Sequence, residues 1–306
     1  MSVEHSSRPT SVSLVLGGGG ARGLAHIGVI QWLTENGFEI RSIAGSSIGA
    51  LIGGIYATSK LDVYAQWVRA LERMHVLRLL DPTFGGAGLF KGERIIGVLR
   101  ELIGDCSIEE LPISFTAVAA DLDSGEEVWL REGKLFDAIR ASIATPLVFT
   151  PFRHGDRTLL DGALVNPLPV AATLDDTTDL TIAVNLSGSA ESRPPPHPPA
   201  LVVDSNVYRQ RIRAFVASIR SGTARVPARG LIDVAFVSMQ AMQDTIARLR
   251  LATCSPDVTI DIPRNACGFY EFWRADEMIT LGRERAARAF QGTGQQAPVG
   301  RLIPIR

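Results

Sequence analysis

Short apolar runs that end in glycine alternate along this chain with longer stretches in which apolar residues recur at helical spacing. Residues 11–16 (SVSLVL) form such a run and stop at Gly17, Gly18, Gly19 and Gly20. Leu24, Ile27, Ile30 and Leu33 then share one helical face, which predicts a helix over 24–36 with Gly37 as its stop. Residues 38–44 predict a second strand, which runs into Gly45-Ser46-Ser47-Ile48-Gly49 and a buried helix, ALIGGIYAT. The spacing of Val63, Trp67, Leu71, Met74 and Leu77 predicts helix over 62–80. A glycine-rich break at 84–88 leads to a further helix ending near Gly104.

Residues 114–120 (SFTAVAA) predict a strand, and Asp123-Ser124-Gly125 before EEVWL predicts a hairpin. A helix is expected over 134–145, up to Pro146, and a short extended piece at 158–160. Asn166-Pro167 is read as the start of another helix, because proline suits a first turn, and 180–186 (LTIAVNL) as an internal strand. Strands alternating with helices imply an α/β fold: a mainly parallel central sheet with helices on both faces, in three layers. Residues 192–199 (SRPPPHPP) interrupt the pattern with prolines that favour polyproline II or a linker. The organisation expected is a core at 11–187, a proline-rich loop insertion at 188–203, and helices and a strand at 204–306 packed onto the same domain. Within the last part, helices are expected at 204–220, 228–252 and 275–291 and a strand at 257–262.

Composition narrows the classes. With 306 residues, 46% of them hydrophobic and 21% charged, the chain is an ordinary globular sequence, not a disordered one. A formal net charge of −1 offers no overall field for nucleic acid. Cys106, Cys254 and Cys267 lack metal-site spacing and cannot all pair, so neither a disulfide scaffold nor a metal is expected, and a reducing, cytoplasmic location is favoured. The first residues lack the apolar segment of a signal peptide, and the most apolar stretch, 43–57, is shorter than the ~20 residues of a membrane span.

Chemistry concentrates in two glycine-flanked sequences. Gly45-Ser46-Ser47-Ile48-Gly49 fits G-x-S-x-G, the strand-to-helix elbow that exposes one serine, and the dipole at the start of the following helix favours a developing anion. The loop Gly17-Gly18-Gly19-Gly20-Ala21-Arg22-Gly23 presents unencumbered backbone N–H groups suited to an oxyanion. Gly18, Gly20 and Gly23 also satisfy G-x-G-x-x-G, but the acidic residue that would hold a ribose near position 43 is missing. No lysine follows for a P-loop. A base for Ser47 is harder to find. His5 and His197 sit in a tail and a proline run, and His26 and His75 fit structural roles. His154 is left as the one candidate for a triad, and no histidine follows in the order of ordinary α/β-hydrolases.

The combination GGGGARG, GSSIG and DGA resembles the patatin-like phospholipase family, in particular its bacterial cytoplasmic members. Ser142, Pro146, Phe149 and Pro151 match the family's S-x-x-x-P-x-x-F-x-P block, and Asn166-Pro167 follows the D-G-A aspartate as in the family. The resemblance spans about residues 11–187. It implies a Ser–Asp dyad of Ser47 and Asp161 and an oxyanion hole of Gly18, Gly19 and Gly20 with Arg22. Gly23, Gly45, Gly49 and Gly162 would support the motifs. It implies hydrolysis of ester bonds in phospholipids, lysophospholipids or related lipids without a cofactor. Ala163 stands where many members have glycine. Asp161 has a plain alternative as an Asx turn, and Arg22 as an ordinary salt bridge. A carboxylate with a reference pKa of about 3.9 is a poor base for an alcohol, so the oxyanion donors carry more of the catalysis.

Two other function classes stay open: a non-catalytic, acyl-lipid-responsive regulator, and a thioesterase or transacylase sharing the same acyl-enzyme step. Phe84, Leu89 and Phe90 offer either a wall or lid for an acyl channel or plain core. Tyr208, Ile212, Phe215 and Ile219, flanked by Arg209, Arg211, Arg213 and Arg220, fit a core helix with a basic face or a helix lying on anionic lipid. The sequence leaves the oligomeric state open.

Overall fold

All six residues of β1 (Thr10–Leu16) after Thr10 are buried, which is why its apolar run is continuous rather than alternating. The two faces of the strand serve different cores. Val12, Leu14 and Leu16 join the main core, whereas Val15 packs with Leu168, Val170 and Ala183 on the other side. A computed structural model describes residues 8–83, 88–191 and 231–291. The proline run, the basic stretch 204–220 and Phe84 lie outside the described residues.

In the sheet, β1 lies between β2 (Phe38–Ser46) and β9 (Leu180–Gly188); β10 (Val258–Pro263) pairs beyond β9, and β4 (Ser114–Asp121) beyond β2. All four pairings are parallel. Three antiparallel pairings complete the sheet: β5 (Glu127–Leu130) and β8 (Arg157–Asp161) with β4, and β7 (Phe152–His154) with β8. A separate parallel ribbon joins β3 (Gly88–Phe90) to β6 (Leu147–Phe149).

Register is what positions the chemistry. Ser46 pairs with Val118, and the next residue of β4, Ala119, pairs with Asp161. The strands β2 and β8 therefore run toward each other along β4 and end at neighbouring positions. On the other side of β2, Leu16 pairs with Gly45, so the glycine loop leaves β1 at the same height.

The helices are α1 (Ala25–Glu35), α2 (Ile48–Ala57), α3 (Leu61–Arg69), α4 (Arg73–Leu79), α5 (Glu93–Ile103), α6 (Leu135–Ser142), α7 (Leu231–Thr253) and α8 (Ala275–Gln291). Leu251 of α7 packs on the second face of the sheet with Val15 and Ala183. On the first face, α8 lies against α1 at backbone contact. A side chain at Gly28 would begin 1.9 Å from the Ile279 carbonyl oxygen, and one at Gly282 would begin 2.0 Å from that of Ala25. Described residues 231–291 thus share the sheet and core of the first 190. No helix among the described residues is long and apolar enough to cross a membrane.

Two sequence expectations are corrected. The helix over 62–80 is two helices, because Glu72 caps a new one reciprocally with His75. No helix starts at Asn166-Pro167; only a short 3₁₀ turn, Val170–Thr173, forms there. The reason is that the carbonyls of this segment are used elsewhere. Asn166 O accepts from Ser46 Oγ at 2.6 Å, and Pro167 O accepts from Gly18 N at 2.9 Å.

Candidate active site

Ser47 stands between β2 and α2 with φ 56 and ψ −124, a left-handed conformation that non-glycine residues adopt only under constraint. The constraint comes from its flanks. A side chain at Gly49 would begin 2.0 Å from the Leu16 carbonyl oxygen, and one at Gly45 would begin 2.4 Å from the Gly49 carbonyl carbon. Both glycines let strand and helix approach at backbone distance, as the elbow reading required. The Ser47 N–H is held by Ser142 Oγ at 2.9 Å, and that hydroxyl donates to Val118 O at 2.6 Å.

Asp161 ends β8 and meets Ser47 across 114 residues of chain. Ser47 Oγ donates to Asp161 Oδ2 at 2.7 Å, and both residues are buried. The same oxygen accepts from Thr145 Oγ1 at 2.5 Å, and Oδ1 accepts from the Ala163 N–H at 2.9 Å. The last bond is the Asx-turn bond of the plain reading, so the turn and the meeting with Ser47 coexist. Burial pushes the Asp161 carboxyl above the ordinary aspartate range, against the three donors that pull it down. A carboxylate so placed is a stronger base than one in water, which eases the difficulty of pairing aspartate with an alcohol. Gly162 presses on β4: a side chain there would begin 2.1 Å from Val118 O.

The glycine loop is narrower in its chemistry than three free donors would be. Gly17 N–H donates to Val184 O and Gly18 N–H to Pro167 O, so Gly18 serves to seat the loop rather than to face a substrate. Among the described residues, the N–H groups of Gly19 and Gly20 meet no protein acceptor. Gly20 lines the same cavity as Ser47. Gly23 packs on Ile48. Arg22 is buried beside this loop, and its guanidinium Nη2 lies 3.3 Å from the point where a Gly19 side chain would begin. It forms no ion pair among the described residues, contrary to the plain reading. Burial lowers its pKa, while the nearby Cys267 and Asp244 favour its charge. Ala163 packs against Gly18 and the Phe269 ring against Gly20, so neither position has room for a side chain.

His26 lies beneath the loop, with Nε2 2.8 Å from Gly17 O. Burial pushes its pKa down to about 4, so at neutral pH the uncharged ring donates from Nε2 to that carbonyl. The triad candidate His154 is exposed on β7, paired with Arg157 at the end of β8 far from Asp161. Among the described residues, no group of His, Cys, Asp and Glu side chains is arranged to hold a metal.

Ser47 opens into a cavity of about 510 Å³ whose walls are almost wholly apolar. Leu89 and Phe90 line it, as one of the two readings of that segment anticipated. Other lining residues were not singled out for the cavity by the sequence. Thr145 stands there only as the last residue of the helix expected over 134–145. Val76 and Leu77 fall inside the single helix expected over 62–80. Phe269, Phe272 and Trp273 come from a part of the chain with no motif, although an aromatic cluster there was visible as a signal. Phe269 is seated by its carbonyl, which accepts from Ala21 N at 2.9 Å.

The Thr145 bond makes a prediction. Thr145→Val removes a donor to the ionised form, so the Asp161 carboxyl rises further and the acid limb of the rate profile moves to higher pH. Turnover at neutral pH should fall about tenfold, a hydrogen bond to a charged group being worth ~1.5–3 kcal/mol. A pH–rate series beside Thr145→Ser, which keeps the hydroxyl, checks it.

A serine elbow and a glycine loop at the carboxyl ends of adjacent parallel strands define an α/β protein of the nucleophile-elbow class. A family model for patatin-like phospholipases matches residues 14–174, and the chain belongs to that family. An uncharacterized NTE family protein of Mycobacterium bovis is 36% identical over 94% of this chain and 93% of its own length. A patatin-like phospholipase domain-containing protein of Caenorhabditis elegans is 36% identical over 52% of this chain, which is 12% of that protein. The crystal structure of VipD from Legionella pneumophila overlaps 93% of this chain and 67% of its own with a TM-score of 0.41 and 13% identity. The family places the protein in the lipid hydrolase class.

Proposed function

We propose that the protein is a serine lipid acyl hydrolase, cleaving carboxylic ester bonds of phospholipids, lysophospholipids or related lipids through Ser47 and Asp161. The observation that carries this reading is the 2.7 Å bond from Ser47 Oγ to the buried Asp161 carboxylate beside the apolar cavity. The acyl chain lies in the cavity. Ser47 Oγ attacks the ester carbonyl as Asp161 takes its proton, and the carbonyl oxygen becomes negative toward the free N–H groups of Gly19 and Gly20. Arg22 adds positive charge beside the loop, and the N-terminus of α2 adds its dipole. Asp161 then protonates the departing alcohol, and water, activated by the same carboxylate, releases the fatty acid from Ser47. The three unpaired cysteines suit a reducing interior as the place of action.

A fluorophosphonate probe distinguishes this enzyme from a binding protein on the same scaffold. Covalent label should appear on the peptide that carries Ser47, and a panel of lipid esters should be hydrolysed. An unlabelled Ser47 in folded protein, with every ester intact, would replace the hydrolase by the regulator reading.

A further inference from the structure

The helix α4 is unusual in having no buried residue, although four of its seven residues are large and apolar. Val76, Leu77 and Leu79 turn toward the Ser47 cavity, yet Met74 and Leu77 are 57% and 58% exposed. Leu89, which also lines the cavity, is 52% exposed. Large apolar side chains held in water around the mouth of an apolar cavity mark a surface that leaves water when it works.

Charge around this rim is one-sided in availability. Three acids of the segment are engaged. Glu72 caps α4, Asp81 accepts from the backbone N–H groups of Gly92, Glu93 and Arg94, and Glu93 lies 3.3 Å from Arg140 Nε. Arg73, Arg78, Lys91 and Arg94 form no ion pair among the described residues. Arg73 lies over the Trp273 ring, and Arg94 Nη1 donates to the Arg78 carbonyl at 2.8 Å. Glu271, held by Arg274 and the Gly268 N–H, also feels the Arg73 charge, so among the described residues Arg78, Lys91 and Arg94 are the cations left without a carboxylate beside the exposed apolar centre.

We infer that this rim, with Met74 and Leu77 at its centre and Arg73, Arg78, Lys91 and Arg94 around them, docks on the surface of an anionic phospholipid bilayer. The inference rests on the hydrolase reading, because docking there sets the cavity mouth against the acyl chains of its substrate. Cations draw the rim to the anionic headgroups, and the apolar side chains enter the interface beneath them.

The test reads binding without chemistry, using Ser47→Ala protein and sedimented vesicles of phosphatidylcholine, alone or mixed with phosphatidylglycerol. Binding should favour the mixed vesicles, and adding Met74→Glu should weaken it about tenfold. Arg78→Glu should abolish much of the preference for the anionic lipid. Leu174→Glu changes a residue 65% exposed beside the segment that enters β9, at the opposite end of the sheet, and should leave binding unchanged. Equal binding to both vesicles, an unaffected Met74→Glu protein, or an equal loss with Leu174→Glu would overturn the assignment. Turnover of a water-soluble short-chain ester by the unaltered protein tests the hydrolase reading separately. Its absence overturns that reading, whatever the vesicles report.

Discussion

Ser47→Ala protein is expected to lose ester hydrolysis by at least about 10⁴-fold while remaining folded, because among the described residues no other group lining the cavity pairs a nucleophilic oxygen in an elbow with a base. Thr145 also lines the cavity, but its proton is committed to Asp161 at 2.5 Å, and it lacks the elbow conformation. A second variant separates chemistry from strain. Ser47 holds φ 56 and ψ −124, and alanine inherits that strain, whereas glycine does not. Ser47→Gly protein should therefore be as inactive as Ser47→Ala protein but more stable than it by ~1 kcal/mol or more. Turnover assays and denaturant unfolding of the two proteins side by side check both parts. Residual hydrolysis within a hundredfold of the native rate would remove Ser47 as the nucleophile.

Asp161→Asn protein should show opposite changes in activity and stability. Asparagine has the shape of aspartate but cannot take a proton from Ser47, so hydrolysis should fall about 10²–10⁴-fold, the range general-base assistance spans. Stability should move the other way. Burial raises the Asp161 carboxyl above its unfolded pKa, so its contribution to stability is full below the unfolded value and is lost as pH rises through the folded one. Above the pKa of the folded carboxyl the native fold carries a buried charge that asparagine removes, and there the variant should melt higher than the native protein. The advantage should vanish in acid below about pH 4, where an unfolded aspartate is itself protonated. Melting curves across pH read this directly; a variant that melts lower there would mean the three donors outweigh desolvation. The same raised carboxyl sets the acid limb of native activity, which should decline as pH falls through it.

What could be read from residues alone was whatever local geometry forces. The elbow was legible because only glycine at 45 and 49 allows backbone to approach backbone, and because a run such as FEIRSIA before it and an apolar helix after it permit one connection. The strands β1, β4 and β9 were legible because burial on both faces requires nearly continuous apolar runs, and β2 because Phe38 and Ile40 alternate with Glu39 and Arg41 before the run becomes fully buried. Asp161 came from likeness of motif, with an Asx turn as the plain alternative. Where long-range acceptors competed with local structure, the reading failed. The 166–167 segment gave up a helix because its carbonyls hold Ser46 and Gly18.

Sequence by itself thus determined the strand–turn–helix at Ser47, the glycine loop and the α/β layering, since each follows from sterics and periodicity within a few residues. Only tertiary structure decided that Asp161 faces Ser47, that Gly18 seats the loop while Gly19 and Gly20 keep open N–H groups, and that Thr145 and Phe269 complete the cavity. Strand register brings together groups more than a hundred residues apart, and burial in the assembled core changes the proton affinity of Asp161. Neither effect exists until the chain has closed on itself.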